Sequence, residues 1–75
     1  MPKQPRVNAS EIVRALRRAG FEPARQEGSH LTLHHRVTDR QVTVPMHPGD
    51  LTVRLTHKIL KQAGLSADDL RELLR

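Results

Sequence analysis

Alternating apolar and polar side chains over residues 29–36, and again over residues 41–45, limit the fold more than any other feature of the chain. The apolar members of the two runs are Leu31, Leu33, Val42 and Val44. A period of two is that of a strand with one buried face. Residues 37–40 are short enough to join the two runs as an antiparallel hairpin. Residues 22–27 contain Pro23, which disfavours helix, so we expect a short first strand at an edge of the sheet.

Helical signals lie on both sides of the predicted sheet. Asn8 and Glu11 have the spacing of a capping box at the start of a first helix, which Gly20 ends. A second helical pattern covers residues 52–63, and a third begins after Ser66. The element order is therefore α-β-β-β-α-α. This order predicts an α+β domain, with a three-stranded antiparallel sheet and helices on one face.

The length of 75 residues indicates one small domain, which we place at residues 8–75. Residues 1–7 contain two prolines and no periodic pattern, so we expect a flexible basic arm there. The chain has no cysteine, which excludes disulfides and cysteine-bound zinc. No apolar run reaches the roughly 20 residues of a membrane span or resembles a signal peptide. We therefore expect a cytoplasmic protein that does not contact a membrane.

The charge of the chain favours anionic partners. Thirteen Lys and Arg residues exceed eight Asp and Glu residues and give a formal net charge of +5. Such an excess suits a polyanion or an acidic protein, although it is also compatible with a merely soluble surface. The chain contains one Phe, Phe21, and no Tyr or Trp. The aromatic platforms on which RRM and OB domains stack bases are therefore excluded. Any nucleic acid would be held mainly through its backbone.

Basic residues recur at helical spacing in the two longer helices. Such a stripe is often only the solvated face of an amphipathic helix, but it can also follow a phosphate backbone. The candidate RNA-binding residues are Arg14, Arg17 and Arg18 in the first helix, and Arg54, Lys58 and Lys61 in the second.

Five histidines are the candidate catalytic groups. RNA cleavage by its own 2′-hydroxyl needs a base, an acid and a cation near the phosphate, and imidazole exchanges protons near neutral pH. Strand alternation places His30 and His34 on the face away from the leucines and His35 on the opposite face. For His34, His35 and His57 taken singly, we expect an ordinary surface role. The residues alone do not single out one catalytic histidine.

A metal site is the alternative use of these histidines. His30 and His34 lie about 13 Å apart along one strand, at about 3.3 Å per residue, so they cannot share an ion without a bend. The pair of His30 and His47 stays open, but the chain has no HxH or HExxH spacing to support it. We expect neither a metal nor another cofactor.

Four segments of the chain form a pattern through their order and spacing. They are Ala19-Gly20-Phe21, Arg25-Gln26-Glu27-Gly28-Ser29-His30, Val44-Pro45-Met46-His47 and Ile59-Leu60-Lys61-Gln62-Ala63-Gly64-Leu65-Ser66. This pattern resembles the HicA family of mRNA interferase toxins. The resemblance covers the chain from about Asn8 to the C-terminus.

The resemblance implies a fold similar to a double-stranded-RNA-binding domain and the role of toxin in a type II toxin–antitoxin system. It implies an endoribonuclease that cleaves mRNA without the ribosome, with His30 as the catalytic residue in the motif of Gly28 and Ser29. The protein partner it implies is a HicB-type antitoxin. The resemblance does not assign the second acid or base, for which His47 and Lys58 are candidates.

One departure from the family pattern lies at the start of the second helix. Arg54-Leu55-Thr56 stands there, whereas members often have Gly-Thr-Leu. The resemblance therefore does not extend a phosphate-binding role to the backbone at this position. It leaves the assignment of His30 unaffected.

The alternative function is a non-catalytic module of the same fold that binds RNA or the antitoxin. Such a module would bind RNA in a salt-sensitive manner, because the contacts are to phosphates. The two functions differ in one observable, since only the nuclease would shorten the RNA.

Overall fold

The computed structural model describes residues 6–75 and has the predicted element order. The elements are α1 (Ala9–Arg18), β1 (Phe21–Glu27), β2 (His30–His35), β3 (Gln41–Pro45), α2 (Val53–Ala63) and α3 (Ala67–Leu73). The strands form one antiparallel sheet in the order β1-β2-β3. The predicted α+β class is confirmed, with β2 in the centre of the sheet. Residues 1–5 of the predicted basic arm lie outside the described residues.

Helix α1 lies between the two residues that the sequence marks as its limits, Asn8 and Gly20, and its C-cap is Ala19. The Asn8 side chain accepts the Glu11 backbone N–H at 2.8 Å, and the Glu11 carboxylate accepts the Asn8 N–H at 3.0 Å. Gly20 follows the helix with a φ of 104°, which glycine adopts without strain. Between these ends, Ile12 and Leu16 are fully buried. The apolar side of the helix therefore faces the core.

The register of the sheet separates a buried face from an open face. Leu33 of β2 lies opposite Val42 of β3, and both side chains are buried. His30 lies opposite Pro45, on the other side of the same two strands. His30 is exposed, so the alternation predicted from the sequence correctly directs it away from the core.

The strand boundaries differ slightly from the predicted ones. β1 begins at Phe21 instead of residue 22, and β2 is one residue shorter at each end than predicted. β1 is an edge strand, as expected for a strand that contains Pro23, and the register shifts between Pro23 and Arg25. The hairpin connection is closed by Asp39, which has a φ of 60° and donates its N–H to the His35 carbonyl at 2.8 Å.

The helices cover the buried face of the sheet and form one hydrophobic core with it. α1 packs on β1 and β3, α2 packs along β3, and α3 contacts both other helices. The buried members are Val7, Ala9, Ile12, Ala15, Leu16, Phe21, Leu33, Val42, Val44, Leu51, Ile59, Leu60, Ala63 and Leu70. Within residues 6–75, α2 is the longest helix at 11 residues, and no helix is long and apolar enough to cross a membrane.

Val7 corrects one boundary of the predicted domain. Its side chain is fully buried, and its carbonyl accepts the Leu51 N–H at 2.8 Å. The next residue, Asn8, forms an isolated antiparallel bridge with Asp50. The prediction of a flexible arm over residues 1–7 is therefore wrong at Val7, because this residue packs into the core.

Candidate active site

A tight turn between β1 and β2 positions His30. Gly28 has a φ of 58°, and a Cβ atom there would meet no other atom within 4 Å. The backbone conformation, and not a close contact, therefore favours glycine. The Gln26 side-chain amide donates to the Gly28 carbonyl at 3.2 Å. His30 follows as the first residue of β2, at the end of the sheet where the turn between β1 and β2 lies.

Ser29 brings a second histidine to the same end of the sheet. Its carbonyl accepts the Met46 N–H, which extends the pairing of β2 and β3 beyond Pro45. His47 follows and is exposed, with its ring centroid 6.3 Å from that of His30 and an angle of 82° between the ring planes. The structure thus places the two histidines that were singled out from the sequence beside each other.

A cleft of about 200 Å³ lies between His30 and helix α2. Its lining consists of His30, Thr43 and Pro45 from the sheet, and Leu55, Lys58, Ile59 and Gln62 from the helix. Lys58 is exposed, so its ammonium group is a hydrated cation on a flexible side chain. Lys58 is the only one of the six predicted RNA-binding residues that lines this cleft.

Gln62 and Thr43 are cleft residues that the sequence analysis did not identify. Gln62 follows Lys58 by four residues and Leu55 by seven, so all three lie on one side of α2. This spacing is a signal that could have grouped Gln62 with Lys58. The missing information was tertiary, because only the packing of α2 along β3 turns this side of the helix toward His30.

The other predicted basic residues of α2 lie outside the cleft. Arg54 and Lys61 are exposed and do not contribute to its lining. The helix is capped by Thr52, whose hydroxyl accepts the Leu55 N–H at 3.1 Å. The predicted cationic stripe is therefore divided, with Lys58 on the cleft side of the helix.

Arg14, Arg17 and Arg18 lie on the exposed side of α1, where they line a second concave surface with Ser10 and Val13. Ser10 also belongs to a notch that contains His47. Ser10 lines both hollows, so the surface that carries Arg14 adjoins the notch that contains His47. The cleft beside His30 is a separate hollow, and His47 neighbours it through the ring of His30.

Arg18 has a structural role that its spacing did not indicate. Its Nη1 atom donates to the carbonyls of Leu73 and Arg75, both at 2.7 Å. Leu73 is the last residue of α3 and Arg75 follows the helix, so these carbonyls lie where helical partners are missing. Arg18 therefore attaches α3 to α1, and its guanidinium is engaged by the protein itself.

His35 is part of the fold. Its ring packs edge-on against Phe21, with a centroid distance of 5.0 Å. Its Nδ1 atom accepts the N–H groups of Val37 and Thr38, both at 3.2 Å, and its Nε2 atom lies 3.2 Å from the Ala19 carbonyl. With Nδ1 accepting, Nε2 carries the proton and donates it to this carbonyl. The expectation of an ordinary surface role is therefore wrong for His35, because these contacts make it part of the fold.

The remaining strand histidine is also engaged. His34 Nε2 lies 2.7 Å from Asp39 Oδ1 at the hairpin end of the sheet. His34 is four residues from His30 along β2, as expected. Within residues 6–75, no group of three or more His, Asp or Glu side chains is arranged to hold a metal ion.

Comparison with known proteins identifies the family. No curated protein matches the chain significantly. The family model described as the HicA toxin of bacterial toxin–antitoxin systems matches residues 9–65, well over half of the 75 residues. The matched range contains His30, His47 and every lining residue of the cleft. The chain therefore belongs to the HicA toxin family of bacterial toxin–antitoxin systems.

Proposed function

We propose that this toxin is an endoribonuclease that cleaves mRNA, with His30 as a catalytic acid or base. The observation that carries the proposal is the pair of exposed imidazoles of His30 and His47. Their ring centroids are 6.3 Å apart at the end of the sheet where β2 begins. Lys58, in the cleft beside His30, supplies the cation. The pair and the lysine match the three requirements of RNA cleavage by the 2′-hydroxyl.

The proposed reaction has one step of bond exchange at phosphorus. One imidazole removes the proton of the ribose 2′-hydroxyl, and the 2′-oxygen forms a bond to phosphorus. The bond from phosphorus to the 5′-oxygen breaks, and the other imidazole donates a proton to that oxygen. The Lys58 ammonium stabilises the negative charge of the five-coordinate phosphorane. The products end in a 2′,3′-cyclic phosphate and a 5′-hydroxyl. The proposed step uses no external cofactor, because the RNA supplies the nucleophile and side chains supply the acid, the base and the cation.

We propose that the substrate reaches this site across the basic surface that carries Arg14 and Arg17. Arg14 and Arg17 on α1 hold phosphates on the side of His47, and Lys58 holds the phosphate beside His30. Arg54 and Lys61 add positive charge outside the cleft, whereas Arg18 supports α3. The open face has no Phe, Tyr or Trp for stacking, which favours contacts with the RNA backbone.

We propose a HicB-type antitoxin as the protein partner of this toxin. Membership in the HicA family implies a partner antitoxin. A formal net charge of +5 favours an acidic surface on that partner. The partner would inhibit the nuclease if it covered His30 and His47, because both side chains are exposed in the isolated chain.

Purified protein incubated with an mRNA transcript, without ribosomes, tests the proposed function. We expect fragments with 5′-hydroxyl ends, and we expect the same rate with EDTA because side chains supply the acid, the base and the cation. The fragments are measured on a denaturing gel, and their 5′-ends by kinase labelling without prior phosphatase treatment. RNA that stays intact through a long incubation would instead favour the non-catalytic binding module.

The substitution His47→Ala should lower the cleavage rate by about 100-fold, because general acid–base catalysis contributes about 10²- to 10⁴-fold. It should also change the pH profile of the rate. With one histidine as base and one as acid, the wild-type rate rises and then falls with pH. Loss of the rising limb in the variant would identify His47 as the base, and loss of the falling limb as the acid. A variant that keeps both limbs and the wild-type rate would remove His47 from the mechanism.

A further inference from the structure

The cleft beside His30 combines an apolar wall with polar side chains. Pro45, Leu55 and Ile59 form the apolar part, and Ile59 is almost fully buried. Thr43 and Gln62 contribute uncharged polar groups, in addition to His30 and Lys58. Such a lining suits a flat ligand that is apolar on its faces and carries hydrogen-bonding groups on its edge.

The size of the cleft limits what it can hold. Its volume is about 200 Å³, which is below the roughly 300–1,000 Å³ of sites for drug-sized small molecules. His30, beside which the phosphate of the substrate would lie in the proposed reaction, is part of its lining. A single base attached to a backbone that continues outside the cleft meets both conditions.

We propose that this cleft is a base-specific subsite, in which Gln62 recognises adenine in the nucleotide next to the scissile phosphate. The inference rests on the proposed function, since the base is delivered by an RNA strand bound at His30. Sequence-specific recognition of RNA uses unstacked bases, whose edges are hydrogen-bonded by the protein. A glutamine amide pairs with adenine through two hydrogen bonds, one accepted from N6 and one donated to N7.

The structure holds Gln62 in a defined place and leaves its amide available. The Gln62 carbonyl accepts the Arg40 Nη1 at 3.3 Å, and the Arg40 guanidinium also lies against Gly64 at the end of α2. This contact attaches the last turn of the helix to the hairpin connection. Within residues 6–75, the Gln62 side chain has no hydrogen-bond partner, so both edges of its amide are free for a base. The Thr43 hydroxyl, in contrast, already has a hydrogen-bond partner, the Thr32 hydroxyl at 3.3 Å.

Mapping of cleavage sites in a pool of RNAs with a randomised segment tests the inference. The variants are Gln62→Ala, Gln62→Glu and the control Gln41→Ala, which removes the same side chain from the far end of β3. We expect the wild type to enrich adenine at one position beside the cut, and Gln62→Ala to reduce that preference about tenfold. Gln62→Glu should shift the preference to cytosine, because a carboxylate only accepts hydrogen bonds. Gln41→Ala should keep the wild-type profile.

The measured quantity is the relative frequency of each base beside the cut, compared within one variant. A variant that cleaves more slowly therefore still gives an interpretable profile. An unchanged base profile in Gln62→Ala would overturn the subsite while leaving the nuclease intact. An unchanged profile with weakened antitoxin binding would make the cleft a protein contact and equally overturn the inference. A wild type that cleaves no RNA would reject the proposed function itself, so the two failures are distinguishable.

Discussion

Replacement of His30 by alanine is expected to lower the rate of RNA cleavage by at least about 100-fold, and by up to about 10,000-fold, without unfolding the protein. The first part follows from the loss of a general acid or base, which contributes about 10²- to 10⁴-fold. The second part follows from the position of His30, which is exposed at the end of β2 and outside the core. Gel-based cleavage rates, circular dichroism and growth of an expressing host measure the two parts separately.

His34→Ala is the matched control for this variant, since it removes the same side chain from the same face of the same strand. His34 lies four residues from His30 along β2, where it contacts Asp39. Because it is outside the site, the control should change the cleavage rate by less than about twofold. Its stability should fall only slightly, because an exposed pair contributes about 0.2–1 kcal/mol. A His30→Ala protein with wild-type activity would contradict the proposed mechanism and would return the function to a binding role.

Much of the fold follows from local rules that need no tertiary information. The capping box of Asn8 and Glu11 sets the start of α1, and Gly20 sets its end. Alternation sets which side of β2 is buried, and so places His30 on the open face. These features depend on residues that are close in sequence, which explains why they could be predicted without the structure.

The features that sequence analysis missed depend on contacts between distant segments. Arg18 binds carbonyls at the end of α3, and Val7 pairs with Leu51, so neither role is visible in the local pattern. Gln62 reaches the site only because α2 packs along β3. His30 was singled out by a family resemblance and not by its chemistry, whereas its proximity to His47 required the register of β2 and β3.

Leu33→Ala is expected to have the largest effect on stability, and it separates a structural loss of activity from a catalytic one. Leu33 is fully buried in the central strand that carries His30. Removal of a buried leucine side chain costs about 2–5 kcal/mol. Small domains rarely gain more than about 3–5 kcal/mol from a single core, so this cost is comparable to the whole free energy of unfolding. The melting temperature should therefore fall by at least about 8 °C, since 1 kcal/mol corresponds to about 4–8 °C in a domain of this size.

Temperature distinguishes this loss from that of His30→Ala. Cooling restores the folded fraction of Leu33→Ala, so its cleavage rate relative to wild type should recover as the far-ultraviolet circular dichroism recovers. The His30→Ala protein should stay inactive at every temperature at which it is folded, because its missing group belongs to the reaction. Val37→Ala is the control for side-chain size, since Val37 is 88% exposed and its loss should change stability by less than about 0.5 kcal/mol. A Leu33→Ala melting curve that coincides with that of Val37→Ala would contradict the assignment of β2 as the buried support of His30.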